Sequence, residues 1–311
     1  MTIQDAARAT IGRKMSFEVK LAEVASAVER RLSELLVGPA VPERMTTAMR
    51  HAVLGGGKRV RPFLVIESAR LFGVTRDQAL NTAAALECVH CYSLVHDDLP
   101  AMDNDLLRRG QPTVWKAFDE WTAILAGDGL LTLAFEIMAR PETHTSAEIR
   151  ATLVTELARA AGPAGMAGGQ CIDLEADKLG VPAAPTLGHI RRLQAMKTGA
   201  LIRFGVEAGA ILGQGTPEQR AALRNFGDHL GFAFQIADDL LDASGDAATV
   251  GKATGKDAGA GKATLVSLMG LDAARAKLAE TEAAAINALA PFGGAADTLR
   301  QTARFVASRQ K

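Results

Sequence analysis

Apolar residues recur at helical spacing along most of this sequence, and that recurrence restricts the possible folds more than any other feature. The segments FEVKLAEVASAVERRLSELL, QALNTAAALECVHCYSLVHDD and QTARFVASRQ place apolar side chains at positions i, i+3, i+4 and i+7, which form one face of an α-helix. Strand-like alternation is nearly absent. Glycine and proline groups near residues 40, 58, 182 and 214 separate the helical segments. The sequence predicts an all-α fold of about a dozen helices joined by short connections.

The length and charge of the chain limit the class of protein. Its 311 residues suffice for a substantial core, and no long polar linker divides them, so we expect a single domain over residues 1–311. Positive and negative side chains balance to a net charge of zero, which argues against a nucleic-acid or other polyanionic partner.

Targeting and redox features predict a soluble cytoplasmic protein. The N-terminal segment MTIQDAARATIGRKM has no apolar stretch of the kind found in secretion signals. No uninterrupted apolar run reaches the roughly 18 residues that span a bilayer, so no membrane insertion is expected. Cys88, Cys91 and Cys171 form no paired CxxC motifs and suit a reducing compartment.

The segment SLVHDDLPAMDNDLLRRG, from residue 93 to 110, is rich in aspartate. Asp97 and Asp103 are six residues apart, and on a continuous helix they would point roughly 120° away from each other. Pro100 prevents that helix from continuing, because its ring would clash with the carbonyl one turn earlier. The helix is therefore expected to end near Asp98, and the loop after it can return Asp103 toward the pair.

A second acidic cluster, FQIADDLLD, lies further along the chain. Asp238 and Asp242 are four residues apart and share a helix face, with Gln235 on the same side. Each cluster ends an otherwise apolar helix, where an aspartate pair is costly without a cation. One such cluster alone could equally be a solvated acidic surface. Two favour a hard divalent metal, and Mg²⁺ prefers carboxylates, water and substrate phosphates.

Basic residues beside glycines are candidates for holding a phosphate. In GGGKRVRP (55–62) a P-loop is excluded, because Ala52 occupies its first glycine position and Arg59 stands where Ser or Thr is required. Three glycines and three cations can still direct N–H groups and side chains onto a phosphate. Further candidates are Arg108, Arg109, Lys197, Thr198 and the three lysines of GKATGKDAGAGKAT, Lys252, Lys256 and Lys262. Each alone could be a solvated surface residue, but their grouping beside glycines and aspartates favours phosphate binding.

The segment from Glu87 to His90 has the Glu-x-x-His spacing of di-iron helix bundles. Such a site needs a second Glu-x-x-His, and the sequence contains none. His90 lies seven residues before Asp97 on nearly the same helix face. We expect it to face the same cavity as a hydrogen-bonding or cationic partner for phosphate. His96 could orient a carboxylate or pack, and no role is assigned to it.

Six motifs in this order resemble the trans-prenyltransferases, the head-to-tail isoprenyl diphosphate synthases, and most of all their bacterial farnesyl diphosphate synthase subgroup. They are GGGKRVRP, ECVHCYSLVHDDLPAMDNDLLRRG, GGQCIDLEA, KTG, FQIADDLLD and GKATGKDAGAGKAT. The resemblance implies an all-α, single-domain bundle of antiparallel helices around a deep central cavity. It also implies a homodimer, Mg²⁺ ions, and isopentenyl, dimethylallyl and geranyl diphosphates as substrates.

The resemblance further implies roles for individual residues. Isopentenyl diphosphate would be held by Lys58, Arg61, His90 and Arg109, and the allylic diphosphate by Arg108, Lys197, Thr198, Gln235, Lys252 and Lys262. Magnesium would be bound by Asp97, Asp98, Asp103 and Asp238, with Asp239 and Asp242 in support, while Gln170 and Asp173 would line the same cavity. The residues with a catalytic role would be Asp97, Asp98, Asp103, Lys197 and Asp238.

Product length is expected to depend on Tyr92. This residue lies five positions before Asp97, roughly 7.5 Å along the helix axis. Its ring could simply pack in the core, but in the resembling family an aromatic residue here is the floor that stops growth at fifteen carbons. The implied product is therefore (2E,6E)-farnesyl diphosphate, formed when the double bond of isopentenyl diphosphate attacks an ionised allylic diphosphate.

Three alternatives remain open from the sequence. The first is a geranylgeranyl diphosphate synthase, which makes a twenty-carbon product by the same chemistry. The second is a terpene cyclase or head-to-head synthase, which is disfavoured because such enzymes do not need the GGGKRVRP site. The third is a non-catalytic partner subunit, although such proteins typically lose an aspartate motif and both motifs are intact here.

Overall fold

The computed structural model describes residues 16–38, 40–243 and 264–308, and within them the prediction of an all-α fold is confirmed. The first helices are α1 (Phe17–Leu35), α2 (Glu43–Leu54), α3 (Val60–Arg70), α4 (Arg76–Asp97), α5 (Val114–Ala117), α6 (Glu120–Ala139) and α7 (Ala147–Ala161). They are followed by α8 (Met166–Leu179), α9 (Leu187–Gln194), α10 (Ala200–Leu212), α11 (Pro217–Ala243), α12 (Leu265–Met269), α13 (Leu271–Ala288) and α14 (Asp297–Ala307). A π-helical turn, Ala195–Gly199, joins α9 to α10, and a 3₁₀ segment, Ala290–Ala296, precedes α14. Strands β1 (Leu107–Arg108) and β2 (Gln111–Pro112) form a short antiparallel hairpin.

Helix α4 lies at the centre of the bundle. Its side chains from Ala79 to Cys91 are buried on nearly every side, and it packs against α1, α2, α3 and α6. A helix that is enclosed in this way belongs to the core rather than to the surface. A capping box of Thr75 and Gln78 begins it. The enclosure holds the C-terminal turns of α4 in place, and those turns carry the first acidic cluster.

Helix α6 is long and apolar enough, by length and composition, to cross a membrane, with a mean hydropathy of 1.5. Asp128 and Glu136 interrupt the apolar residues of this helix, so it contains no uninterrupted apolar run of membrane-spanning length. Its inner face, which includes Ala123 and Leu130, is buried and packs against α4. A core helix whose outer face is also apolar has the same composition. The outer face exposes Trp121, Ile124 and Leu125.

Small residues allow α3 and α10 to approach each other closely. A Cβ atom on Gly209 of α10 would lie 2.6 Å from the backbone carbon of Ser68 of α3, which is shorter than real contacts. Gly205, one turn earlier, faces the same helix, and its Cβ atom would lie 3.3 Å from the carbonyl oxygen of Arg61. This close packing fixes the position of α3, whose first turn carries Arg61 of the predicted isopentenyl site.

We expect Gly209→Ala to destabilise the protein by about 1–3 kcal/mol, because the added methyl group overpacks a backbone contact that cannot yield. Gly188→Ala in α9 is the matched control, since its Cβ atom would meet only the Thr186 hydroxyl at 3.8 Å. Chemical denaturation of both variants measures the difference. Equal stability of the two variants would show that the α3–α10 contact is soft.

Candidate active site

A cavity of about 640 Å³ lies between α4 and α8 and reaches the π-helical turn. Polar residues on its wall include Arg61, His90, Asp97, Gln170, Lys197 and Thr198, all of which the sequence analysis had singled out. Tyr92 also lines it, and the apolar wall includes Leu94, Met102, Met166, Leu174 and Leu179. A separate cavity of about 500 Å³, between α1, the end of α3 and the start of α4, is lined by none of the predicted site residues. The candidate site is therefore the first cavity.

The first acidic cluster has the shape predicted from Pro100. Helix α4 ends at Asp97, and the loop turns back so that the backbone N–H of Asp103 donates to the carbonyl of Asp97 at 2.8 Å. Asn104 takes the left-handed conformation in this turn, with φ of 54°. Burial raises the pKa of Asp97 to about 7, with Lys197 opposing the shift and Asp103 adding to it. The ionised form of Asp97 is therefore unfavourable here unless a further cation lies beside it.

Asp98 and Arg108 were assigned to different ligands, but in the structure they bind each other. The Nε atom of Arg108 donates to Oδ1 and Oδ2 of Asp98 at 2.8 and 2.9 Å, and its Nη2 atom donates to Oδ1 at 2.5 Å. Burial raises the pKa of Asp98, whose side chain is only 3% exposed. The pair ties the end of α4 to β1, and the assignments of Asp98 to magnesium and Arg108 to the allylic diphosphate stay predictions.

The hairpin brings the second arginine to the glycine loop. Its two turn residues, Arg109 and Gly110, have φ of 53° and 76°, as a type I′ turn requires. A left-handed arginine is uncommon. Its guanidinium donates to the carbonyl of Gly56, so the turn places Arg109 beside the GGGKRVRP segment. The hairpin thus brings Arg109, which was predicted for the isopentenyl site, to the loop that also carries Lys58 and Arg61, although its partner Gly56 lies 53 positions earlier in the chain.

The π-helical turn presents Lys197 to the cavity, and such turns occur often at functional sites. The turn itself packs closely on α11, since a Cβ atom on Gly231 of α11 would lie 2.9 Å from the Cα atom of Gly199 in the turn. The ammonium of Lys197 donates to Oδ2 of Asp173 at 2.5 Å. The positive charge of Lys197 also lowers the pKa of Asp97, so Lys197 lies between Asp173 and the first acidic cluster.

The second acidic cluster divides between two environments. Asp238 and Gln235 are half-buried, and Asp238 is among the carboxylates that oppose the lowering of the Arg61 pKa by burial. Asp239 instead accepts a hydrogen bond at 2.9 Å from the backbone N–H of Leu265, the first residue of α12. Asp238 therefore lies near the cationic side of the site, whereas Asp239 attaches α12 to α11. Asp242 is half-buried in the last turn of α11.

Arg61 and His90 form a polar pair in the cavity wall. Nη1 of Arg61 lies 3.2 Å from Nε2 of His90. Burial lowers the pKa of His90 well below its usual range, and the cations Arg61 and Arg109 lower it further, so the ring is neutral and Nε2 accepts. Nε of Arg61 and both amide atoms of Gln170 are buried without a hydrogen-bond partner. Unpaired buried polar atoms in a cavity wall are expected where a ligand completes the bonding.

The remaining predicted lysines lie away from this wall or outside the described residues. Lys58 is exposed, and its ammonium sits 5.4 Å from the centre of the Phe305 ring in α14. Lys252, Lys256 and Lys262 lie outside the described residues.

Arg59 was expected to be one of three cations in GGGKRVRP that bind phosphate, but that expectation is wrong because its side chain points into the core. Its side chain is fully buried and donates to Glu87 at 2.7 Å, to Glu29 at 3.0 Å and to the carbonyl of Val53 at 2.6 Å. Glu87 had drawn attention only as part of a rejected metal motif. No local signal marks Arg59 as different from Lys58 and Arg61. Sequence reasoning missed the apolar residues Met166 and Leu174 of α8, although each lies four residues from the predicted Gln170 and shares its helix face.

The aspartates of the two acidic clusters fit a magnesium site that is completed by substrate phosphates. In residues 16–38, 40–243 and 264–308, no three metal-binding side chains converge on one point. Mg²⁺ usually takes one or two carboxylates and completes its shell with water and substrate phosphates. Burial raises the pKa of Asp97 to about 7 even though Lys197 and Arg108 oppose the shift, so a further positive charge would stabilise its ionised form. Asp97, Asp103 and Asp238 would therefore hold Mg²⁺ ions together with substrate phosphates, and not form a three-carboxylate site around one ion.

Comparison with known proteins identifies the family. The profile of the polyprenyl synthetase family matches residues 42–289. The chain belongs to the polyprenyl synthetase family. This family member is 42% identical to the farnesyl diphosphate synthase of Geobacillus stearothermophilus over 86% of its own length and 89% of that protein. It is 48% identical to the farnesyl diphosphate synthase of Escherichia coli (strain K12) over 74% of its length and 76% of that protein.

A solved structure gives the same answer for the fold. The polyprenyl synthetase chain superimposes on an apo FPP/GFPP synthase from Zymomonas mobilis with a TM-score of 0.85 and 45% identity, covering 94% of this chain and 99% of that one. The recognition of a prenyl synthase from its six motifs is thereby confirmed.

Asp97→Asn should raise the stability of the metal-free protein at pH 8. The pKa of Asp97 is higher in the folded chain, about 7, than the ordinary value of roughly 3.9. The folded state therefore loses stability as the pH rises from about 4 through 7, and the loss is complete above 7. The asparagine variant avoids it and should melt at least about 2 °C higher at pH 8.

Thermal unfolding at pH 5 and pH 8 with chelator present measures this difference. Asp228→Asn, at a side chain that is 55% exposed in α11, is the control and should gain nothing between the two values of pH. A lower melting temperature for Asp97→Asn at pH 8 would mean that the carboxylate is stabilised without a cation.

Proposed function

We propose that the chain is an Mg²⁺-dependent prenyltransferase that condenses isopentenyl diphosphate with dimethylallyl or geranyl diphosphate to give (2E,6E)-farnesyl diphosphate and diphosphate. The observation that carries this proposal is the convergence on one cavity of an acidic rim at Asp97, a basic wall of Arg61 and His90, and an apolar wall. The farnesyl diphosphate synthases among its relatives support the same reaction.

The allylic diphosphate would lie at the acidic rim. Lys197 and Thr198 line the cavity there, and Gln235 lies one turn before Asp238. Magnesium, when bound to the aspartates, supplies positive charge that stabilises the departing diphosphate. Lys197 adds a fixed cation to the same charge, which is electrostatic catalysis by a preorganised group. Arg108 would join it by exchanging its contact with Asp98 for the diphosphate.

Isopentenyl diphosphate would lie against Arg61, His90 and Arg109, with Lys58 at the outer edge. The neutral ring of His90 and the unpaired Nε of Arg61 offer hydrogen bonds to a diphosphate oxygen. This places the attacking double bond close to the allylic carbon, and positioning of this kind lowers the barrier. The apolar wall excludes water, which would otherwise capture the allylic cation. The attack of the double bond on the allylic cation leaves a new cation, which then loses a proton. The departing diphosphate is the base that accepts this proton.

Tyr92 would set the product length at fifteen carbons. Its half-buried ring lines the cavity on the same helix as Asp97 and next to the small residue Ser93. A geranylgeranyl diphosphate synthase is the second candidate, since a tail that passes Tyr92 would grow to twenty carbons by the same chemistry.

The outer face of α6 supports a homodimer. Trp121, Ile124 and Leu125 are 57%, 45% and 48% exposed, and they share one side of the helix. Large apolar side chains grouped on a surface usually mark an interface. We propose that a second copy covers them, which also accounts for the apolar composition of α6 without a membrane. The free thiols of Cys88, Cys91 and Cys171 suit the cytoplasm, where we place the enzyme.

Turnover should depend on magnesium and on both acidic clusters. Purified protein with Mg²⁺, isopentenyl diphosphate and either primer should yield farnesyl diphosphate by chromatography. Excess chelator, or Asp97→Ala or Asp238→Ala, should lower turnover at least about 10²-fold, because the charge on the leaving group is no longer neutralised. Asp228→Ala, on the same helix as Asp238, is the control. Full turnover in chelator would contradict the proposed reaction.

Two substitutions should separate the two diphosphate sites. Arg109→Ala should raise the KM for isopentenyl diphosphate, and Lys197→Ala should raise the KM for geranyl diphosphate, each by roughly 10- to 100-fold for a lost charge-assisted hydrogen bond. Initial rates with each substrate varied in turn measure both values. Lys116→Ala, at an exposed lysine of α5, should change neither KM. If each variant weakened both substrates alike, the division of the cavity would be wrong.

A further inference from the structure

The Tyr92 ring does not stand alone in the cavity wall. The ring of His96, one turn later on α4, meets it edge to face, with centroids 5.8 Å apart and planes at 78°. Both side chains line the same cavity. Aromatic rings in this geometry attract each other weakly and exclude one another strongly. The position of Tyr92 therefore depends on where His96 is held.

His96 is held from its other side by α6. Its Nε2 atom donates to the carbonyl of Ile124 at 3.0 Å, and a carboxylate oxygen of Asp128 lies 3.9 Å from the same atom. The imidazole fills a notch that exists only because Gly127 lacks a side chain. A Cβ atom there would lie 2.8 Å from Cε1 of His96 and closer still to its Nε2 and Cδ2 atoms.

We propose that His96, seated in the notch at Gly127, is a positioning residue that sets the Tyr92 ring and with it the length of the prenyl product. This rests on the proposed function, in which Tyr92 is the floor of the cavity. Product length is then determined by the fit between α4 and α6, and Tyr92 is the surface that the growing chain meets. The ordinary role of His96 would be core packing, which predicts an effect on stability but none on product length.

Substitutions at His96 and at Gly127 should change product length in opposite directions. His96→Ala removes the support behind Tyr92, so the ring can withdraw and the twenty-carbon fraction should rise several-fold. Gly127→Ala fills the notch and pushes the imidazole toward Tyr92 and the cavity, so geranyl diphosphate should accumulate at the expense of the fifteen-carbon product. Chromatography of products from isopentenyl and dimethylallyl diphosphates measures both fractions.

The double variant His96→Ala/Gly127→Ala and one matched control separate this mechanism from damage to the fold. With the imidazole absent, Gly127→Ala should no longer shorten the product, because it acts only through that ring. Gly129→Ala adds a methyl group to the same helix, but its Cβ atom would meet the flexible side chains of Met45 and Met49 instead. Its product distribution should match that of the wild type, and thermal unfolding of each variant reports stability independently.

The outcomes distinguish the role of His96 from the role of Tyr92 and from the proposed reaction. If Tyr92→Ala lengthens the product while His96→Ala leaves it at fifteen carbons, the floor stands and the role of His96 is overturned. If Tyr92→Ala also stops at fifteen carbons, the floor lies elsewhere and the inference falls with it. A wild-type protein that forms no prenyl product would overturn the proposed function itself. If Gly127→Ala does not fold, the result with His96→Ala decides.

Discussion

The buried ion pair between Arg59 and Glu87 is the contact on which the rest of the site depends. Both side chains are almost inaccessible to solvent. Arg59 is the residue that precedes α3 and has the left-handed conformation, with φ of 49°. Its guanidinium also donates to Glu29 in α1 and to the carbonyl of Val53 in α2, so it ties α3 to α1, α2 and α4. Loss of one partner in such a pair typically costs about 3–5 kcal/mol. Arg61 and His90 lie two and three residues from this tie, and their separation follows from it.

The cavity contains two titratable side chains whose charged forms its surroundings disfavour. Burial raises the pKa of Asp97 to about 7 and lowers the pKa of His90 well below its usual range, so each charged form is destabilised where it stands. A cation at the acidic rim and a diphosphate at the basic wall would reverse both shifts. The packing of α4 against its neighbours offsets this cost in the free protein, which is the usual relation between a strained site and the core that supports it.

Local chemistry made part of the site predictable. Pro100 required the helix to end and the loop to return, and Asp103 accordingly donates to the carbonyl of Asp97. Helical spacing placed His90 on the face that lines the cavity. The pairing of Asp98 with Arg108 was not predictable, because two residues with separate assignments compete for each other only once the hairpin has folded back. The π-helical turn around Lys197 also escaped prediction, since it depends on its close packing against α11.

The sequence by itself determined the helical class and the acidic and basic motifs, because each is encoded in spacing along one segment, and it determined the family through the order of six such motifs. Tertiary structure alone decided which of the three neighbours Lys58, Arg59 and Arg61 faces the core, since that choice rests on Glu87 and Glu29 from other helices. It also decided that His96 would occupy the notch at Gly127 and brace Tyr92. Steric fit between helices depends on pairs of residues far apart in the chain, and no local pattern records it.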